Sequence, residues 1–190
     1  GPDPVGEWYV HRQPPGPYIV QDAGKNKRGV APDFCLSLKE NGDARRMTDF
    51  VLDPVLARDT IALGDLPLSR VLLINDARYT WLTLVPRRAG VAELIDLDAA
   101  DRQQAFAEIM LASEVLSAVA RPDKLNTGAL GNIVRQLHIH LIARFASDPA
   151  WPGPVWGHSP AVPYPPHLAG VTIDRLREAL TARGMTEIAA

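Results

Sequence analysis

Gln136-Leu137-His138-Ile139-His140-Leu141-Ile142-Ala143-Arg144 sets two histidines two positions apart inside an otherwise apolar run. Alternate side chains of an extended backbone share a face, so Gln136, His138 and His140 turn one way and Leu137, Ile139 and Leu141 the other. A helix would part the two imidazoles by about 200°. The stretch therefore reads as a strand that brings two ring nitrogens to one spot. A solitary core histidine is ordinarily satisfied by a backbone hydrogen bond. A same-face pair is harder to explain that way, because each ring needs its own partner and each resists becoming charged.

The neighbouring segments read outward from this strand. Lys124 to Leu130 is a second strand, joined to it by a turn around Gly131-Asn132. Asp98 to Val119 is a long helix with Asp98 as N-cap and Asp101 in the first turn; Phe106, Ile109, Met110, Ser113 and Leu116 recur at helical spacing as its packing face. Arg121-Pro122-Asp123 ends it. Farther upstream, Val71 to Ile74 and Trp81 to Val85 read as a hairpin turning at Asn75-Asp76 and stopping at Pro86. Residues 50 to 58 suit a short helix capped by Asp53, with Pro54 in its first turn. After the histidine strand, Asp148 to Gly157 is too proline-rich for regular structure, and a last helix from Ile173 to Ala182 presents Ile173, Leu176 and Leu180 on one side. Two antiparallel hairpins around one long helix predict an α+β domain rather than a doubly wound parallel sheet.

Residues 1–46 differ in character: Pro14-Pro15-Gly16-Pro17, the polar cluster from Gly24 to Gly29 and Asn41-Gly42-Asp43 leave only short apolar pieces between them. They read as an extended leader, added or fused ahead of Met47, with Trp8, Tyr9 and Tyr18 as aromatics able to dock on the domain. We expect a core domain over residues 47–157 and a carboxy-terminal extension with a helix over 158–190. Across the 190 residues the net charge is -2, which gives no electrostatic case for bulk nucleic acid or an anionic membrane. Cys35 is the single cysteine, so neither an internal disulfide nor a multi-cysteine zinc site is available. No apolar run approaches ~18 residues and no secretory pattern opens the chain, so the expected location is cytoplasmic.

A strand-borne histidine pair suits three chemistries. Neutral imidazoles ligate zinc or iron, but a third ligand would have to come from His158, His167, His11 or an acid, and no motif places one. One histidine can also act as a general acid or base oriented by the other. Finally, an imidazole can attack phosphorus and form a phosphoramidate intermediate. Phosphorus chemistry needs donors for anionic oxygens and a backbone able to approach them. Asn126 to Val134 offers two glycines and two side-chain amides at that place.

Asn126-x-Gly128, Gly131-Asn132-x-Val134 and Gln136-x-His138-x-His140-Leu141-Ile142 together resemble the signature of the histidine triad (HIT) superfamily of nucleotide hydrolases and transferases. That pattern runs Asn-x-Gly, Gly-Gln-x-Val, then three histidines alternating with apolar residues. Val71 to Arg88 resembles the family's first hairpin, and the likeness spans roughly residues 48–157. It implies an antiparallel sheet of about five strands, packed with one long helix and a short one.

Carried over by position, His138 is the nucleophile that takes a nucleotidyl group at the α-phosphorus, and His140 orients the ring or bonds a phosphate oxygen. Gln136 replaces the first histidine and can bond but not carry a proton as imidazolium. Asn132 stands where the family commonly has Gln; Asn126, Gly131, Asn75 and Asp76 complete the expected nucleotide contacts, the last two at the ribose. Trp151 and Trp156 line the entrance or cover a neighbouring subunit. Ile133 occupies a place where some branches have a hydroxyl residue. The resemblance implies hydrolysis of a dinucleoside polyphosphate or nucleoside phosphoramidate by a homodimer. No cofactor is required, Mg²⁺ entering only with a polyphosphate, and no metal is expected in the site. A non-catalytic nucleotide-binding regulator and a nucleotidyltransferase are the alternatives.

Overall fold

A computed structural model describes residues 50–188. The leader reading of residues 1–46 and its aromatics, and the possible ligand His11, lie outside the described residues, as does Cys35. Within them the order is α1 (Pro54–Asp59), β1 (Thr60–Asp65), β2 (Ser69–Ile74), β3 (Thr80–Pro86), a single 3-10 turn (Leu94–Asp96), α2 (Ala99–Ala120), β4 (Lys124–Gly128), β5 (Ile139–Arg144) and α3 (Pro166–Thr181). The five strands form one antiparallel sheet in the order β1-β2-β3-β5-β4. This is the expected α+β arrangement.

Period-two alternation sorts the side chains onto two buried faces. Val71 and Leu73 of β2, Leu82 and Leu84 of β3, and Ile139, Leu141 and Ala143 of β5 pack with α2 and α3 in the main core. Leu72 and Val85 turn the other way, against Leu56 of α1 and Val134, and Trp81 and Ile142 join Tyr79, Ala150 and Val155 on that second face. His140, between Leu141 and Ile139 in β5, therefore belongs to the face opposite the long helix. No described helix is long and apolar enough to cross a membrane.

Three elements differ from the sequence expectation. β1 is a strand that the sequence reading passes over, because Ala62 and Gly64 blur its alternation and a register shift falls between them. Gly64 is required there: a Cβ would lie 2.5 Å from the Thr186 carbonyl oxygen, where the chain's end pairs with Asp65 through hydrogen bonds of 2.8 and 2.9 Å. In α2 the capping is as expected, Asp98 accepting from the Asp101 N–H at 2.9 Å, but the packing face is rotated. Phe106 and Met110 are 59% and 60% exposed. The inward face instead carries Ala105, Ala112, Val115 and Leu116 with two buried acids.

Those acids explain the rotation. Glu108 accepts the Leu68 and Ser69 N–H groups of the β1–β2 turn at 2.7 and 2.9 Å, and Asp101 forms a bidentate pair with Arg88 at 2.6 and 2.7 Å. Satisfied carboxylates can sit where the apolar count alone would place a Phe or Met. Finally, α3 begins at Pro166, earlier than expected, and buries Leu176 and Leu180 in the main core. Proline suits a first turn, where its missing N–H costs nothing.

Candidate active site

β5 and the segment just before it place the two histidines. His138 precedes the first residue of β5, and His140 pairs in register with Thr83 of β3 and Gly128 of β4. Both are buried, at 8% and 6% exposure, with ring centroids 4.8 Å apart and planes at 87°. Both line one cleft of about 950 Å³.

Each ring has its Nδ1 engaged. His138 Nδ1 is 2.7 Å from the Gln136 backbone oxygen. A carbonyl only accepts, so this nitrogen carries the proton and Nε2 keeps its lone pair. His140 Nδ1 meets the Trp81 indole N–H at 3.0 Å and Thr83 Oγ1 at 3.1 Å. Burial, and secondarily the charge of His138, lower the His140 pKa from 6.5 to about 3. His140 is therefore neutral at ordinary pH.

The cleft wall is built by four segments. α1 supplies Val55, Leu56, Arg58 and Asp59; the β2–β3 turn supplies Asn75 and Asp76; the β4–β5 connection supplies Leu130 to Val134; and the later loops supply Val155, Trp156 and Pro163. Arg58 and Asp59 pair with each other at 2.6 Å on the exposed rim. Hydrogen bonding to Arg58 holds the Asp59 carboxyl below its ordinary range.

Asn75 and Asp76 reach the cleft and also strap its wall. Asn75 Oδ1 accepts from the Tyr164 N–H at 3.0 Å, and Asp76 accepts from Arg78 Nε and Nη2 at 2.8 and 2.6 Å. Burial works to raise the Asp76 pKa, but Arg78 and the backbone N–H groups of Arg78 and Val162 outweigh it and hold the carboxyl below its usual value. Arg78 also donates to Ser159 Oγ and the Pro160 carbonyl at 2.6 and 2.8 Å.

Of the residues expected from sequence, His138, His140, Asn75, Asp76, Gly131 and Asn132 line the cleft, whereas Gln136 and Asn126 do not. The Gln136 side chain turns to the chain ahead of α1, accepting from the Asp53 N–H and donating to the Val51 carbonyl, both at 2.9 Å. It meets the histidine pair only through its backbone oxygen. Replacing it in Gln136→Leu is expected to lower stability by about 1–2 kcal/mol, the net worth of two such bonds, read by urea unfolding.

Asn126 accepts from Arg144 Nη1 at 2.6 Å. Arg144 is fully buried, pairs with Asp148 at 2.7 Å and donates to the Gly153 carbonyl at 3.0 Å. It thereby pins to the sheet the loop that carries Trp156 into the cleft. Trp151 lies beside this guanidinium, 5.8 Å from its centre, rather than in the cleft lining. Trp81 and Thr83 are site residues that sequence reasoning missed; their signal, the register between β3 and β5, exists only in the folded sheet. Among the described residues, no three of His, Cys, Asp and Glu gather to hold a metal ion.

The HIT domain family profile matches residues 57–147, which contain the sheet, α2 and both histidines. The fold is similar to crystal structures of histidine triad proteins from three bacteria. The Bradyrhizobium japonicum protein is 47% identical, with a TM-score of 0.67 over 68% of this chain and 97% of that one. The Sinorhizobium meliloti 1021 protein is 45% identical, with a TM-score of 0.68 over 70% and 98%. The Marinobacter aquaeolei VT8 protein is 42% identical, with a TM-score of 0.68 over 70% and 97%. No curated protein matches the chain significantly.

Proposed function

This chain belongs to the histidine triad (HIT) domain family, and from that premise we propose that it hydrolyses a dinucleoside polyphosphate or nucleoside phosphoramidate at the α-phosphorus, with His138 as nucleophile. The observation that carries the reading is the 2.7 Å contact between His138 Nδ1 and the Gln136 carbonyl. It leaves a lone pair at Nε2 of a ring that lines the cleft, and it stabilises the positive charge that grows on the ring as Nε2 bonds phosphorus.

The first step forms the Nε2–P bond and breaks the bond from phosphorus to the leaving oxygen or nitrogen, which departs with the electron pair and takes up a proton. Water then attacks the nucleotidyl-imidazole; the P–N bond breaks, the mononucleotide leaves, and a proton returns to solvent. Neutral His140 steadies a phosphate oxygen by hydrogen bonding. Asn132 and the backbone at Gly131 are the further phosphate contacts, and Asn75 and Asp76 hold the ribose. A polyphosphate substrate brings Mg²⁺ as its own counter-ion.

In this reading Gln136 stands in the place of the first triad histidine and works as a structural tie. Ile133, 93% exposed at the cleft, offers the leaving group no hydroxyl, so its proton comes from water. That second feature also favours the rival reading, a nucleotide-binding regulator without turnover. Incubation with an adenylyl donor labelled at the α-phosphorus, quenched in alkali, is expected to leave the label on His138 and to release monophosphate. Micromolar nucleotide binding without product over hours would select the regulator, and new diesters formed on adding acceptors would select a transferase.

A homodimer joined sheet to sheet completes the proposal. The outer edge of β1 is bridged by Thr186, whereas β4 ends the sheet on the other side with its outer edge unpaired among the described residues. Sedimentation is expected to give twice the chain mass at micromolar concentration.

A further inference from the structure

We propose that Trp81 is a positioning residue whose indole N–H determines which nitrogen of His140 carries the proton, so that this ring offers an Nε2–H donor to the occupant of the cleft. The indole nitrogen lies 3.0 Å from His140 Nδ1, and an indole can only donate. His140 Nδ1 must then accept, and the single proton of the neutral ring resides on Nε2. Thr83 Oγ1 lies 3.1 Å from the same nitrogen. A hydroxyl can donate or accept, so Thr83 alone would select neither tautomer.

Trp81 is itself held in place. Its ring packs edge-on against Tyr79, Trp156 and His140, with centroids 6.4, 6.1 and 5.3 Å away, and its backbone is paired with Ile142 of β5. The result is a complementary pair, because His138 carries its proton on Nδ1 and keeps the Nε2 lone pair, whereas His140 does the reverse. One ring can attack phosphorus while its neighbour donates to an oxygen on that phosphorus.

A second proton on His140 would set an N–H against the indole N–H, so geometry opposes the cation in addition to burial. The titratable group facing His140 is His138. β3 contributes Trp81 and Thr83, β4 contributes Gly128, and the loop after β5 contributes Trp156, none of them charged at neutral pH.

Only the effect on rate rests on the hydrolase reading; the ring protonation belongs to the free protein. The test is a long-range proton–nitrogen correlation spectrum of ¹⁵N-histidine-labelled protein at pH 7 without nucleotide. The expected result is a protonated Nε2 on His140 and a protonated Nδ1 on His138. In Trp81→Phe, with only the Thr83 hydroxyl beside Nδ1, the pure Nε2–H form is expected to give way to a mixture in which Nδ1–H is also populated, and the acid titration of the ring moves up from about 3 toward the ordinary histidine range. With nucleotide, kcat of that variant is expected to fall about tenfold or more while KM stays within about twofold, as when a transition-state donor is lost.

Thr83→Val is expected to retain the wild-type tautomer. A proton on His140 Nδ1 in the wild-type protein, or an unchanged His140 spectrum in Trp81→Phe, overturns the assignment. Should Trp81→Phe fail to fold, the wild-type and Thr83→Val spectra decide, since a proton that moves in Thr83→Val gives the task to the threonine. The expected spectra without any nucleotide turnover would sink the hydrolase reading and leave this one standing.

Discussion

His138→Ala is expected to abolish turnover, lowering kcat by about 10⁴-fold or more, the scale on which enzymes lose rate when a covalent nucleophile is removed. The argument is chemical rather than steric. Among the described residues no other imidazole in the cleft can replace it: His140, the other ring of the pair, has its Nδ1 facing an indole donor and a hydroxyl and lines the same space from the neighbouring position. Nucleotide affinity should change far less, because the expected ribose and phosphate contacts sit on the β2–β3 turn and the Gly131-Asn132 loop. The discriminating measurement is single-turnover release of monophosphate, with calorimetry in parallel. Full turnover by His138→Ala would end the nucleophile assignment, and a matched loss of binding would make His138 a binding residue instead.

Acid is expected to destabilise the fold through His140 well before the carboxylates respond. Burial first, and the charge of His138 second, hold the folded pKa at about 3 against an unperturbed 6.5. Between those values the unfolded chain has bound a proton that the folded chain refuses, so stability falls as pH falls. The contribution is complete above pH 6.5 and exhausted near 3. Over the full window it amounts to roughly 5 kcal/mol, comparable with the whole stability of many domains. Asp76 acts lower: its pKa lies below 3.8, so its contribution is lost only as pH drops under that value. Urea unfolding from pH 7 to 4 should show the decline in the wild-type protein and a much flatter profile in His140→Asn. Equal slopes in the two proteins would refute the assignment.

The elements with dense local signals were legible in the sequence. The histidine strand announces itself by alternation, the long helix by Asp98 as its cap, and the hairpin by Asn75-Asp76 between two apolar runs. β1 lacked such a signal, because its middle is Ala62-Leu63-Gly64 and its outer partner, Thr186, is remote in the chain. The inward face of α2 is not legible from spacing because the helix has apolar residues on both sides, and its orientation is decided by Glu108 and Asp101 finding partners on other elements.

The candidate site divides along the same line. His138, His140, Asn75, Asp76, Gly131 and Asn132 stand out by local motif, and all six line the cleft. Gln136 and Asn126 sit in the same motif yet turn to other partners, Val51 and Asp53 in one case and Arg144 in the other. Trp81 and Thr83 were invisible because nothing near them in sequence contains a histidine.

Arg144 also bears on how the cleft keeps its shape. One guanidinium fastens β4, β5 and the loop that carries Trp156 into a single block, so that side of the cleft behaves as an anvil. A second tie comes from Gln136, whose side chain joins the chain ahead of α1 to the segment entering β5 through Asp53 and Val51, so each clamp holds its own part of the cleft wall.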